Sequence, residues 1–397
     1  MITVVGWDGS ELSARAVDRL AAAGLVVGPD RVLRELRLAV PTLPTAPAAP
    51  DSALLDALDG HLGRGEAPAV VLAEGDPGFF GCVRALRGHG LEPEVIPATS
   101  LVARAFARAG LDWEDALVVA PSGPAQLRRA VNACRAHPKV AVVVAPGVGP
   151  GELARELAPT TPRSLLVFEA LGGPGERLTH SRMGEATTRP WKDPDVVLVL
   201  DPRHRPRERP WVAGAQPGPA EWALPSPTGL PAEVRAFVLA KLGPRLGDLV
   251  WDVGAGSGEI AVECALHGAA VFAVERDAAA CAALRSRVLA HGVKVALTRG
   301  LAPPALEPLP DPDAVHVGGG GPDVVMACAA RRPRALVCAL RKVEQVTGVL
   351  DRLREHGYRG EAVQILASRL VPAPDGSRTL APADPVFVVH ATPLPPG

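Results

Sequence analysis

The chain is short of net charge, of long apolar runs and of paired cysteines, and each shortage excludes something. Its 397 residues include 42 basic and 43 acidic side chains, a formal balance of −1. That balance leaves no basic face for nucleic acid or for an anionic membrane surface. No apolar run reaches the ~18 residues a membrane-spanning helix requires. The opening residues, MITVVGWDGS, run straight into a strand pattern and lack the basic-then-apolar order of a secretory leader. The six cysteines, at 82, 134, 264, 281, 328 and 338, are scattered and form no C-x-x-C pair. They suit buried thiols in a reducing compartment better than disulfides or metal ligands. The expectation is a soluble, cytoplasmic protein with no metal, no nucleic-acid partner and no membrane partner.

What the chain does have is a 47% hydrophobic composition and length enough for two or three domains. A segment rich in Pro and Arg, Pro202 to Pro227, lacks sustained periodicity and reads as a linker at 204–226. It divides the chain into domains at 1–203 and 227–397. In the first half, strands are predicted at Ile2–Val5, Ala69–Ala73, Leu117–Ala120, Val140–Val144, Leu165–Phe168 and Val196–Leu200. Helical patterns such as Leu12–Ala22 and Gly81–Arg87 lie between them, and Pro41–Pro50 reads as a loop. The second half opens with a helix at Pro231–Leu242. Strands follow at Leu249–Val253, Ala270–Glu275, Lys294–Thr298, Ala314–Val317 and Ala335–Ala339, with helices between them. This alternation builds a doubly wound parallel sheet. The last two runs, Glu361–Ala367 and Pro385–His390, have no helix between them and suit an antiparallel pair. The fold class is α/β in both halves.

The sharpest local signal is VWDVGAGSG, Val250 to Gly258. An apolar strand ends in Asp252, glycines alternate at Gly254, Gly256 and Gly258 around Ala255 and Ser257, and a helix begins. Glycine lets backbone approach a ligand closely, and the helix N-terminus behind it offers free N–H donors. Glu275 ends the following strand about 20 residues on, a placement that suits a ribose diol. The spacing is G-x-G-x-G rather than the G-x-G-x-x-G of dinucleotide binders. It resembles the S-adenosylmethionine loop of class I methyltransferases.

A second glycine run, HVGGGGP, places Gly318, Gly319, Gly320 and Gly321 after the fourth strand. It reads either as an open floor for a bulky flat substrate or as a flexible turn. The Asn/Asp-Pro-Pro-aromatic motif of enzymes that methylate exocyclic amines of nucleic acids is absent there. His316 reads as a general acid or base beside that floor, or as a packed core histidine. Leu301 and Ala302, after the third strand, are the candidates for holding an adenine edge. Arg331, Arg332 and Arg334 read as a solvated face or as a carboxylate-binding cluster.

The first half carries three loops, each after a strand or short extended run: VVGWDGS (Val4–Ser10), LAEGDPGFFG (Leu72–Gly81) and VIPATS (Val95–Ser100). They would converge at one edge of a sheet. Asp76 reads as a helix cap or as a carboxylate held at the rim by the Pro77 turn. Together these loops resemble those of the tetrapyrrole methylase family. That resemblance assigns Gly6, Gly9, Gly75, Asp76, Pro77, Thr99 and Ser100 to the binding of S-adenosylmethionine.

A tetrapyrrole methylase half followed by a class I methyltransferase half resembles the family of decarboxylating precorrin-6Y C5,15-methyltransferases, over essentially the whole chain. The family implies an N-terminal fold of two α/β subdomains followed by a Rossmann-like domain. It implies methylation of C5 by the first half, and C15 methylation with decarboxylation of the ring C acetate by the second. It further implies a corrin-precursor substrate, S-adenosylmethionine as donor, and a homo-oligomer. The other enzyme reading is a class I methyltransferase on another small molecule, with the N-terminal half a non-catalytic tetrapyrrole-binding module. The chain departs from the family's patterns at Trp7-Asp8, at PATS, at Ala120–Gly123, and at Leu230-Pro231 where relatives often carry Thr-Lys.

Overall fold

In a computed structural model of the chain, all residues are described except 39, 46–51, 65–66, 205–228, 382–383 and 396–397. The chain divides into two compact units. Met1–Leu127 with Lys139–Gly214 form the first, and Arg128–Pro138 with Ala215–Gly397 form the second.

The first unit holds two five-stranded sheets. Strands β1 (Ile2–Trp7), β2 (Leu25–Pro29), β3 (Thr42–Thr45), β4 (Ala69–Glu74) and β5 (Glu94–Ile96) assemble in the order β3-β2-β4-β1-β5, all parallel. The Val-rich centre of β1 is buried on both faces, as a parallel sheet covered by helices requires. Helices Ala14–Ala21 and Leu101–Ala109 begin at Ser13 and Ser100, whose side chains accept the N–H of Ala16 and Ala103. The second sheet takes β6 (Leu117–Val119), β7 (Lys139–Val143), β8 (Ser164–Glu169), β9 (Arg177–Arg182) and β10 (Pro194–Leu200) in the order β6-β7-β10-β8-β9. Only its β6-β7 pair is parallel.

Four strands of this unit escape the sequence reading, β5 among them, which reads only as a short extended run. β2 is short and ends in Gly28-Pro29. β9 (RLTHSR) carries only one buried residue, so it shows little apolar pattern. The segment Pro41–Pro50, expected to be a loop, contains β3 at Thr42–Thr45, an edge strand that tolerates Pro44 because one side needs no partner. Residues 46–50 of that segment, and 205–226 of the expected linker, lie outside the described residues.

Among the described residues the second unit holds a seven-stranded sheet and a two-stranded hairpin. Strands β11 (Leu249–Val253), β12 (Ala270–Glu275), β13 (Ala296–Arg299), β14 (Ala314–Val317), β15 (Ala335–Leu340), β16 (Tyr358–Ile365) and β19 (Val386–Pro393) take the order β13-β12-β11-β14-β15-β19-β16. The short pair β17 (Leu370–Pro372) and β18 (Arg378–Leu380) forms a separate hairpin. The first five strands are parallel and the last two antiparallel, as the sequence pattern predicts. The chain runs outward through β12 and β13, then returns to the other side of β11 with β14. The gap between the carboxyl ends of β11 and β14 is therefore the sheet's topological switch point.

Side chains of β11 alternate between two cores. Trp251 and Val253 pack with Phe272 and Val315 on one face, while Val250 packs with Val234, Val238 and Val337 on the other. Trp251 is fully buried, and its indole N–H donates to Pro310 O at 3.1 Å.

All six cysteines are buried thiols. Burial pushes the Cys82 thiol up to about 11 and those of Cys328 and Cys338 up to about 12. No helix among the described residues is long and apolar enough to cross a membrane.

Trp251→Ala is expected to cost about 3–5 kcal/mol, from lost contacts and the cavity left behind. The unfolding midpoint in urea measures that loss.

Candidate functional site

At the switch point of the second unit the backbone of two loops nearly touches. Gly254, Gly256 and Gly258 adopt φ of +73°, +56° and +83°, the left-handed region that a side chain strains to enter. A Cβ on Gly254 would lie 2.8 Å from Gly319 N, and one on Gly318 would lie 2.7 Å from Gly254 O. Gly256 and Gly319, by contrast, face open space. Glu275, ending β12, anchors the first loop. Its Oε2 accepts the Gly256 N–H at 2.8 Å and its Oε1 accepts the Asp277 N–H at 2.8 Å. Each carboxylate oxygen keeps a further lone pair for a ligand hydroxyl.

Between the loops opens a cleft of about 700 Å³. Gly254–Ser257 and Gly318–Gly321 form part of its wall, and His316, Arg235, Arg341 and Gln345 supply polar side chains. Asp252 and His316 are register partners on β11 and β14. His316 Nδ1 lies 2.8 Å from Asp252 Oδ1, with the residues 3% and 0% exposed. Beneath them the Cys264 thiol is held well above its usual range by burial, then by the Asp252 and Glu263 charges.

The two glycine runs predicted from sequence meet at the cleft, while Glu275 and Asp252 do not line it: Glu275 holds the Gly256 N–H and Asp252 lies against His316. Leu301 and Ala302 follow β13 and do not line the cleft; Leu301 is largely exposed and Ala302 packs against the core. Glu259, Arg341, Gln345 and the alanines 279, 280 and 283 were missed. They line the cleft from helix starts and faces whose sequence carries no motif. Leu230, at a departure from the family pattern, also lines it, and its carbonyl accepts from Arg235 Nη1 at 2.7 Å.

In the first unit, the three loops leave the carboxyl ends of adjacent parallel strands β4, β1 and β5 and meet. A Cβ on Gly6 would lie 2.5 Å from Gly75 O, 2.8 Å from Ala98 N and 2.8 Å from Pro77 Cδ, touching both other loops at once. Asp8 ties the first loop to the third, accepting from Ser10 Oγ at 2.5 Å, Ser10 N at 3.0 Å and Thr99 N at 3.2 Å. Burial opposes its charge, but these hydrogen bonds outweigh it and bring the carboxyl down to about 2. Asp76 caps no helix. Its Oδ1 accepts the Gly78 N–H at 2.8 Å, closing the turn around Pro77, while the next helix starts after Gly81. Ser100 is a helix cap.

A fourth segment, missed from sequence despite its run LGGPG, completes the arrangement. A Cβ on Gly9 would lie 1.8 Å from Gly172 O. That segment is held by Asp195, whose Oδ2 accepts the Leu171 N–H at 2.5 Å. Burial, only partly offset by Arg31, raises the Asp195 carboxyl to about 6.

Two family models match the chain. Tetrapyrrole (corrin/porphyrin) methylases match residues 5–187, and a precorrin methyltransferase domain matches residues 231–392. Precorrin-6Y C(5,15)-methyltransferase [decarboxylating] of Mycobacterium tuberculosis (strain CDC 1551 / Oshkosh) is 30% identical over 349 residues, 84% of each chain. The chain belongs to the precorrin-6Y C5,15-methyltransferase (decarboxylating) family. The family member from Sinorhizobium sp is 36% identical over 282 residues, 67% of this chain and 66% of its own length. A crystal structure of precorrin-6Y C5,15-methyltransferase from Geobacter metallireducens GS-15 is 25% identical and covers 43% of this chain and 94% of its own, with a TM-score of 0.39.

Asp195 gives this family member a pH signature with a definite sign. Because its folded-state carboxyl titrates above the unfolded value of 3.8, the folded chain holds the extra proton between them. Stability from this group is full below about pH 4 and falls as pH rises toward about 6. Asp195→Asn is expected to gain thermal midpoint relative to the parent between about pH 4.5 and about pH 7.5. Parallel melting curves for the two proteins would show no divergence if Asp195 titrated normally.

Proposed function

We propose that the chain transfers two methyl groups from S-adenosylmethionine to C5 and C15 of precorrin-6Y and removes the ring C acetate carboxylate as carbon dioxide, giving precorrin-8X. Residues 1–203 carry the C5 transfer, and residues 227–397 carry the C15 transfer and the decarboxylation. The enzyme works in the cytoplasm as a homo-oligomer. The observation that carries this reading is the cleft between Gly254–Gly258 and Gly318–Gly321. One wall suits a nucleoside-bearing donor and the other a flat macrocycle.

The residues fit the donor. Gly256, with open space where a side chain would be, leaves room for close approach, and Glu275, which holds the Gly256 N–H from behind the wall, suits a ribose diol beside it. In the first half, Gly6 and Gly75 let three loops close together around Asp8, Asp76, Pro77, Thr99 and Ser100, and Gly9 seats the first of them against Gly172. The bound donor supplies an electrophilic methyl, and an enamine-like meso carbon is already nucleophilic. The protein's task is therefore alignment and exclusion of water. Arg341, on the cleft wall, suits a substrate carboxylate.

Incubation with precorrin-6Y and isotope-labelled S-adenosylmethionine, followed by mass spectrometry, tests the reading. A product gaining two methyls and losing carbon dioxide is expected. A single methyl, or none despite donor binding, would sink it. Calorimetric titration should find two donor molecules per chain. Gly254→Ala, whose methyl would meet Gly319 in a left-handed backbone, should weaken the C-terminal site at least tenfold, about 1.4 kcal/mol.

A further inference from the structure

We infer that His316 is the proton donor for the decarboxylation, positioned by Asp252, an inference that rests on the function proposed above. His316 forms part of the cleft wall, and Asp252 lies behind it, absent from that wall. An ionised carboxylate only accepts hydrogen bonds, so the 2.8 Å contact is Nδ1–H of His316 donating to Asp252 Oδ1. The other ring nitrogen, Nε2, is shielded from solvent and has no hydrogen-bond partner, and the same holds for Asp252 Oδ2. A histidine that served packing alone would leave this nitrogen unpaired at a cost of about 1–3 kcal/mol. Its neighbour across the sheet, Val337, offers it nothing, and Ala273 beside Asp252 is equally apolar. The glycine run gives the ring edge its room, since a Cβ on Gly318 would lie 3.2 Å from His316 Cε1. The arrangement is that of a buried carboxylate orienting an imidazole whose far nitrogen is free for a ligand.

The reaction requires one proton at carbon. When the ring C acetate decarboxylates, the bond between its methylene and carboxylate carbons breaks. The electron pair passes into the conjugated imine of the macrocycle, and carbon dioxide leaves. The pair then returns to the methylene carbon as that carbon takes the proton from Nε2–H of the His316 imidazolium, leaving a methyl group. The neutral imidazole recovers its proton from water that enters the cleft when the product leaves. Asp252 holds the ring in place. The other charged groups around this dyad are Arg235, Glu259 and Arg341 on the cleft wall and Glu263 on the helix Glu259–Leu266, which also carries the neutral Cys264 thiol.

His316→Ala and His316→Asn test this, with methyl gain and loss of carbon dioxide followed separately by mass spectrometry in a single turnover. In both variants loss of carbon dioxide is expected to slow at least ~100-fold relative to methyl gain. Added imidazole should restore it in His316→Ala, with a rate that follows the basicity of substituted imidazoles. Asp252→Asn should likewise slow the loss of carbon dioxide, because the ring loses the carboxylate that orients it. Undiminished loss of carbon dioxide in His316→Ala overturns the inference. So does slowing that no imidazole relieves in a variant with unchanged melting and donor binding. If the parent protein itself neither methylates nor decarboxylates precorrin-6Y, the proposed function fails and takes this inference with it. A fully active parent with unaffected His316 variants removes the inference alone.

Discussion

The second unit depends on a contact made entirely by backbone. Where β11 and β14 end side by side, Gly254 and Gly318–Gly319 approach so closely that a methyl on Gly254 or on Gly318 would collide with the other loop. That proximity holds the two loops together at the switch point of the sheet, and the cleft opens around it. The sheet contributes the direction. Parallel strands deliver both loops to the same edge, and the change of winding after β13 leaves the gap between them.

The first unit meets the same requirement with different loops. Gly6 sits where the turns after β4 and β5 pass over the end of β1, and Gly9 sits against Gly172 from the second sheet. Glycine there is needed for the space its missing side chain leaves. The polar ties are then local. Asp8 fastens the first loop to the third, and Asp76 fastens its own turn. A carboxylate that looks in sequence like a helix cap or a ligand group is, in the fold, first a clamp on backbone N–H groups.

Much of this was legible from residues, for physical reasons. Strands buried on both faces, such as VVLAE and LVWDV, read as continuous apolar runs, and glycines spaced by one residue before a helix have few other uses. The missed elements are those whose residues carry no such imprint. β9 exposes most of its side chains, β3 is a four-residue edge strand containing a proline, and β2 is short. In the cleft, Arg341, Gln345 and the alanines of helix Ala278–His291 are brought in by topology. The same applies to the pairing of Asp252 with His316. The two lie 64 positions apart, and only the strand order β11-β14 makes them neighbours.

The burial of every cysteine has a practical consequence. Thiol chemistry proceeds through the thiolate. Here the sulfurs are enclosed by core side chains, and four of them are held in the protonated form far above neutral pH. To a maleimide or an iodoacetamide the folded surface is blank. A fluorophore or spin label attached through one cysteine introduced on an exposed loop would therefore report from that position alone, with none of the native six removed.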